Sequence, residues 1–175
     1  VSRVDEAAVR NTRDVDILIR YGSGRLPGYV GHKLFDDELI AACSPAYLKR
    51  RPPFSEPVDL LNERLIHLEN VDPTWEDWNS WFNHLGITEA PSTRGQLINN
   101  YIIAVQAAVD GIGIVLGWKR LLTNYLKQGL LVPAISAVVP TTGAYYQMLH
   151  ERRNTGANVD HLRKWIEKEA AAIRK

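Results

Sequence analysis

At 175 residues the chain has room for one large domain or two small lobes. Apolar residues make up 45% and charged residues 23%, the balance of an ordinary globular protein, and a formal net charge of +1 argues against a dedicated nucleic-acid surface, though not against membership of a larger DNA-binding protein. No apolar run is long enough to span a bilayer, no secretory signal is visible at the start, and the single cysteine, Cys43, cannot close an internal disulfide and reads as a small core residue.

Residues 1–4 have the pattern of the tail of a strand, followed by a short helix near 6–11. Residues 14–20, DVDILIR, alternate Val15, Ile17 and Ile19 with Asp16 and Leu18 and predict a strand. The loop beyond it, Tyr21-Gly22-Ser23-Gly24 and Leu26-Pro27-Gly28, stands at the strand's carboxyl end. Arg20, just before that loop, either clamps a carboxylate with its planar fork or makes a structural ion pair. Residues 33–43 form one extended segment in which Asp36 and Asp37 point to opposite faces and cannot share a proton. Ser44 and Pro45 then open a helix as N-cap and first helical residue. A basic, proline-rich loop at 50–57 leads to a short strand at 65–68. Thr74 and Asp77 have capping-box spacing and predict a helix carrying Trp75, Trp78, Phe82 and Leu85, ended by Gly86.

The most informative stretch is 99–118, NNYIIAVQAAVDGIGIVLGW. Asn99 and Asn100 offer N-cap side chains, 101–109 is almost wholly apolar and predicts a helix covered on most sides, Gly111 suits a left-handed C′ position, and 112–116 reads as a buried strand. With 96–98 as the preceding strand this is a β-α-β unit over a parallel sheet. The turn at Asn99, Asn100 and Tyr101 then lies at a strand's carboxyl end and a helix's amino end, where open α/β sheets take ligands and where free amides favour a carboxylate. The two asparagines either frame such a site or only cap and turn. Further on, 119–128 predicts an amphipathic helix stopped by Gly129. Residues 130–132 and 143–149 predict two strands, and a last helix is capped by Asn158 with Leu162, Trp165, Ile166 and Ile173 in one apolar stripe. The alternation gives an α/β fold.

Catalytic constellations are not evident. His32, His67, His84, His150 and His161 lack metal-ligand spacing, so no metal and no cofactor are expected. No nucleophile elbow surrounds Ser44, no phosphate loop is present, and Gly111, Gly113 and Gly117 follow a helix and precede a strand, the reverse of a dinucleotide fingerprint. The chain is therefore expected not to be an enzyme. Trp75, Trp78 and Trp81 either stack on a ligand or pack as core.

DVDILIRYG (14–22), LFDDELIAACSPAYL (34–48), the 99–118 stretch and LKQGLLVP (126–133) together resemble the effector-binding domain of LysR-type transcriptional regulators. WEDWNSWF (75–82) and the IVLGW ending resemble the subgroup that includes glycine-cleavage and choline-related activators. The resemblance implies two Rossmann-like lobes joined by two crossing strands, as in type 2 periplasmic binding proteins. The first lobe would hold residues 1–35 and 149–175 and be incomplete, and the second 36–148, with crossings near 34–38 and 146–149. A small effector would bind in the cleft between them, against Tyr21, Gly22, Asn100, Tyr101 and Trp118; the residue readings above add Arg20 and Asn99 and a carboxylate on the effector. It also implies a cytoplasmic homo-oligomer, dimer or tetramer, that meets DNA through a helix-turn-helix domain not contained in this sequence; the first strand and helix of the first lobe are missing as well, so the chain is expected to be a fragment. A periplasmic solute-binding protein of a transporter is the rival on the same fold.

Overall fold

The structure, a computed structural model, describes residues 15–69, 75–91, 95–151 and 156–173. The strand and helix expected within 1–11 and the capping role expected of Thr74 lie outside these residues. In chain order the elements are β1 (Ile17–Gly22), β2 (Tyr29–Cys43), α1 (Pro45–Leu48), a 3-10 turn (Pro57–Asn62), β3 (Leu65–Leu68), α2 (Trp78–His84), β4 (Leu97–Ile98), α3 (Tyr101–Val109), β5 (Ile114–Trp118), α4 (Lys119–Lys127), β6 (Val132–His150) and α5 (Ala157–Ile173). They fall into two compact units, one holding Glu38–Pro140 and the other the flanking described residues, 15–37 and 141–173. The chain passes between units inside β2, at 37–38, and inside β6, at 140–141.

In the unit Glu38–Pro140 the organising strand is β3. It pairs in parallel with β5 (Leu65↔Ile114, Ile66↔Val115) and with β4 (His67↔Leu97, Leu68↔Ile98). β5 in turn pairs antiparallel with the end of β2, from Leu39↔Trp118 to Ala42↔Val115. The predicted β4-α3-β5 unit is present, but its strands are not neighbours: β3 lies between them, and α3 crosses over it. Leu65 and Ile66 are buried and favour the centre, whereas two-residue β4 suits the edge.

The helix α3 lays Ala104, Val105 and Ala108 on Ile40, Ile66 and Val115, with Leu122 and Leu131 closing the cluster. It is not covered on most sides as expected. Ile102 is 69% exposed and Ile103 58%, because only the 104, 105, 108 stripe faces the strands. A second core comes from α2, whose Trp78, Trp81 and Phe82 are buried, and the Trp78 indole donates to the Ile66 carbonyl at 3.0 Å. That helix starts later than predicted. Asp77 is its N-cap, accepting from the Ser80 amide at 2.7 Å while the Ser80 hydroxyl takes the reciprocal bond. Trp75 therefore precedes the helix.

Helix ends obey the sequence closely. Ser44 accepts from the Tyr47 amide ahead of Pro45. Gly86, Gly111 and Gly129 all have positive φ, and each helix closes with paired bonds such as Gly111 to the Ala108 carbonyl and Ile112 to the Ala107 carbonyl. In α5 the Gly156 carbonyl takes the Val159 and Asp160 amides, so Asn158 sits inside the first turn and is not the cap. Leu162 and Trp165 of its expected apolar stripe are exposed, at 46% and 55%. The two strands predicted at 130–132 and 143–149 are one 19-residue strand, β6. In the other unit β6 pairs antiparallel with β1, from Ile17↔Leu149 to Gly22↔Ala144.

The two turn glycines separate conformational strain from crowding. A Cβ at Gly129 (φ 67°) meets nothing within 4 Å, whereas one at Gly111 (φ 76°) would lie 3.1 Å from Arg50 Nη2 and 3.3 Å from Ser44 Oγ. Gly129→Ala is expected to cost about 1 kcal/mol from the left-handed backbone alone. Gly111→Ala should cost more, and urea unfolding of the two variants checks the order.

Candidate ligand-binding site

Because β3, β4 and β5 run parallel, their carboxyl ends share one edge. Leu68 and Glu69 leave β3 there, Ile98 leads from β4 into Asn99 and Asn100, and Trp118 ends β5. A cavity of about 250 Å³ opens at this edge. Its lining residues include Ile66, Ala104 and Val115 from the core, the aromatic residues Trp78, Tyr101 and Trp118, and the acidic residues Glu69, Glu76 and Asp77. Ligands of open α/β sheets sit beyond the carboxyl ends of the strands, and this cavity is in that position. The Trp118 ring makes T-shaped contacts with Tyr101 at 5.4 Å and with Trp75 at 5.4 Å. Such T-shaped contacts fix ring orientation.

The helix end beside the cavity is already served. Asn100 Oδ1 accepts from the Ile102 amide at 2.9 Å and the Ile103 amide at 3.3 Å, and the Asn100 carbonyl takes the Ala104 amide at 3.0 Å. Asn100 is a cap, as one of the two readings required, and its side chain occupies amides that an incoming carboxylate would need. Asn99 is exposed beside it.

Arg20, Tyr21 and Gly22 belong to the other unit. Tyr21 is buried, its hydroxyl accepts from the Gly143 amide at 3.3 Å, and its ring lies 5.4 Å from that of Tyr145, which in turn lies 5.0 Å from Phe35. Burial first, then Asp37 and Tyr21, hold the Tyr145 phenol above its usual range. Asp37 is buried and Asp36 exposed, so the two carboxylates do lie on opposite faces.

At the opposite, amino edge of the parallel strands a larger cavity of about 530 Å³ is lined by Arg51, Asn62, Glu63, Arg64, Gln96 and Ile112 among others. There Glu63 accepts from the Tyr47 hydroxyl at 2.6 Å and from Arg51 Nε at 2.9 Å, with Arg51 over the Tyr47 ring. Among the described residues no group of three or more His, Cys, Asp or Glu is placed to hold a metal ion, and no helix is long and apolar enough to cross a membrane.

Residues 6–171 match the family model for the LysR substrate binding domain. The chain belongs to that family. This LysR substrate-binding domain is 28% identical over 172 residues to the glycine cleavage system transcriptional activator of Escherichia coli K12, covering 98% of this chain and 55% of that protein. It is 27% identical over 171 residues to the transcriptional activator AmpR of Pseudomonas aeruginosa, covering 97% and 54%. The chain thus spans about half the length of these curated relatives. The effector domain of AmpR from P. aeruginosa superposes with a TM-score of 0.79 at 26% identity, covering 98% of this chain and 78% of that one. The AmpR effector-binding domain of Citrobacter freundii, at 21% identity and a TM-score of 0.77, shows the same fold. The chain is an effector-binding domain of LysR type, with the mixed α/β, type 2 periplasmic-binding-protein-like fold of that group. The relatives are transcriptional regulators, which does not favour the transport reading.

Of the residues singled out from sequence, the structure of this LysR domain brings Tyr101 and Trp118 together at the cavity, puts Asn100 at the helix start behind it, and leaves Asn99 outside the lining. Trp78, one of the three tryptophans that could stack on a ligand, also lines the cavity, whereas Glu69, Glu76 and Asp77 carry no binding expectation from sequence. Glu69 follows the strand at 65–68 directly, so the carboxyl-edge rule that selects Asn99 selects it too.

Asn100→Ala should lower stability by about 1 kcal/mol through the lost cap, while Asn100→Asp should retain it, since a carboxylate both accepts the amides and suits the helix dipole; urea unfolding separates the two. Cys43 is buried, and burial, with Glu63 adding to it, pushes its thiol from 9.0 to about 12. A folded pKa above the unfolded one gives a contribution that is complete below pH 9.0 and lost as pH rises towards about 12. Stability should therefore fall on the alkaline side across that window. A disulfide-exchange reagent near neutral pH should leave the native thiol unmodified and react fully in denaturant.

Proposed function

We propose that this domain is the sensor of a longer, cytoplasmic bacterial transcriptional regulator, and that its small-molecule effector is held at the carboxyl edge of β3, β4 and β5, against Tyr101 and Trp118. DNA would be bound through a helix-turn-helix domain elsewhere in the full-length protein, acting as a homo-oligomer. The observation that carries the reading is the cavity at that edge, whose lining includes Trp78, Tyr101 and Trp118 and shares Ile66, Ala104 and Val115 with the core. Its size suits a compact metabolite rather than a drug-sized ligand. The two compact units would be the two lobes of the sensor. An effector shifts lobe geometry only by its differential affinity for the available states, so the signal depends on contacts made in one state and not another.

Calorimetric titration with a panel of small metabolites, amino acids and short carboxylic acids among them, tests this. One chemical class is expected to bind, and Trp118→Phe to weaken it about tenfold, which is about 1.4 kcal/mol. Binding that Trp118→Phe and Leu97→Ala both leave unchanged would place the effector elsewhere. Arg20, Tyr21 and Gly22 are assigned to the same response from the second unit. Arg20→Ala and Tyr21→Phe in the full-length regulator should reduce effector-dependent transcription from a reporter promoter, and unchanged induction would remove them from the role.

A further inference from the structure

Gly117 stands on β5 where that strand meets α3, and its place there is a matter of space. It does not adopt the left-handed backbone of Gly111 or Gly129, so no turn requires a glycine. Residues two apart on a strand share a face, which puts Gly117 on the side of Val115. Its partner across the ladder, Ile40, belongs to the same core cluster as Val115. On α3 the residues that meet this cluster are spaced by helical turns: Tyr101, Ala104 and Ala108. Sizes across the two elements are complementary. Val115 packs in one cluster with the small Ala104 and Ala108, and the large Tyr101 reaches the glycine.

A Cβ at Gly117 would lie 3.0 Å from the Tyr101 hydroxyl oxygen and 2.5 Å from Leu122 Cδ1. Something must give, and the two neighbours are not equally able to. Leu122 is fully buried inside the cluster, and a close-packed interior offers it nowhere to go. Tyr101 borders the cavity at the carboxyl edge, so its ring has a space to turn into. That ring also meets Trp118 at 5.4 Å and 71°, and both line the cavity. A side chain at 117 would therefore reshape the cavity through Tyr101, although Gly117 is not itself among the lining residues.

We propose that Gly117 is a positioning residue of the sensor: by letting the Tyr101 ring seat against β5 it sets how long a ligand the cavity accepts. This rests on the cavity being the effector site, and it names the residue that fixes the site's size selectivity.

The test uses two homologous series, glycine, alanine, norvaline and norleucine, and acetate, butyrate and hexanoate. They are titrated into the ¹⁵N-labelled domain while the indole N–H signals of its five tryptophans are followed, with Trp118→Phe assigning the signal at the site. In Gly117→Ala the longest probe that shifts Trp118 in the unaltered domain should weaken by about tenfold or more, and the shortest by less than about threefold. The nuclear Overhauser contacts between the Tyr101 and Trp118 rings should change with it. Two double variants separate seating from stability. Gly117→Ala with Leu122→Val removes the methyl that the new Cβ overlaps, and should recover melting temperature but not long-probe affinity; it also carries the comparison if Gly117→Ala alone does not fold. Gly117→Ala with Tyr101→Phe removes the hydroxyl and should recover long-probe affinity.

Equal weakening of long and short probes, unchanged ring contacts, or affinity that returns with Leu122→Val and not with Tyr101→Phe would make Gly117 a residue of the core alone, and would overturn the proposal while leaving the effector site standing. Saturable shifts confined to other tryptophans would place the ligand elsewhere and remove both readings. No saturable shift with any probe would overturn the size selectivity proposed for Gly117, and the metabolite panel alone would then judge the site.

Discussion

The parallel register of β3 between β4 and β5 is the constraint on which the rest depends. The backbone bonds that hold it include the His67 amide to the Gln96 carbonyl at 2.7 Å, the Glu69 amide to the Ile98 carbonyl at 2.8 Å, and the Ile114 amide to the Arg64 carbonyl at 2.8 Å. Both flanking strands approach β3 over a glycine. A Cβ at Gly113 would fall 2.3 Å from the Arg64 carbonyl oxygen, and one at Gly95 would overlap the Leu65 carbonyl. A slip of one residue would turn Ile66 and Val115 out of the core and carry Trp118 away from Tyr101. The register therefore positions the core and the candidate site at once.

Running the strands in parallel also separates chemistry by edge. Where the strands begin, Arg51, Glu63 and the Tyr47 hydroxyl form a mutually bonded group. Where they end, the side chains are rings and carboxylates. A β-sheet has little net dipole of its own, so the sign of the field at each edge is set by side chains and helix ends. At the carboxyl edge the first amides of α3 are taken by Asn100, whereas α4, which starts directly after Trp118, has no side-chain cap.

Much of this was legible because it is local. Caps, left-handed glycines and the apolar run at 101–109 are decided by residues within one turn of each other, and Ser44, Asn100, Gly86, Gly111 and Gly129 behave as their neighbours require. What was not legible is non-local. The strands expected at 130–132 and 143–149 left 133–142 outside any strand, yet β6 runs through that stretch, Pro133 and Pro140 included. The exposure of Ile102 and Ile103 depends on what lies over α3, which no periodicity within the helix reveals. The order β5-β3-β4 was hidden because strands joined by a helix need not be adjacent. The carboxylates at the cavity come from two segments far from 99–118 in sequence, and Asp77, read as the third helical residue, is the cap that brings α2 to the site.

The cavity and the core share material, and this links ligand to fold. Ile66, Ala104 and Val115 belong both to the packed cluster and to the cavity wall. Tyr101, one turn before Ala104, packs against the same cluster while its ring meets Trp118. A ligand seated there would touch α3, β3 and β5 together and so would bind the native arrangement of these elements and not the unfolded chain. Occupancy then adds to native stability in proportion to the logarithm of ligand concentration over its dissociation constant. Close-packed interiors move between discrete arrangements and do not deform continuously. A group that presses on α3 therefore either fits the existing packing or selects another, which is the physical condition a sensor must meet.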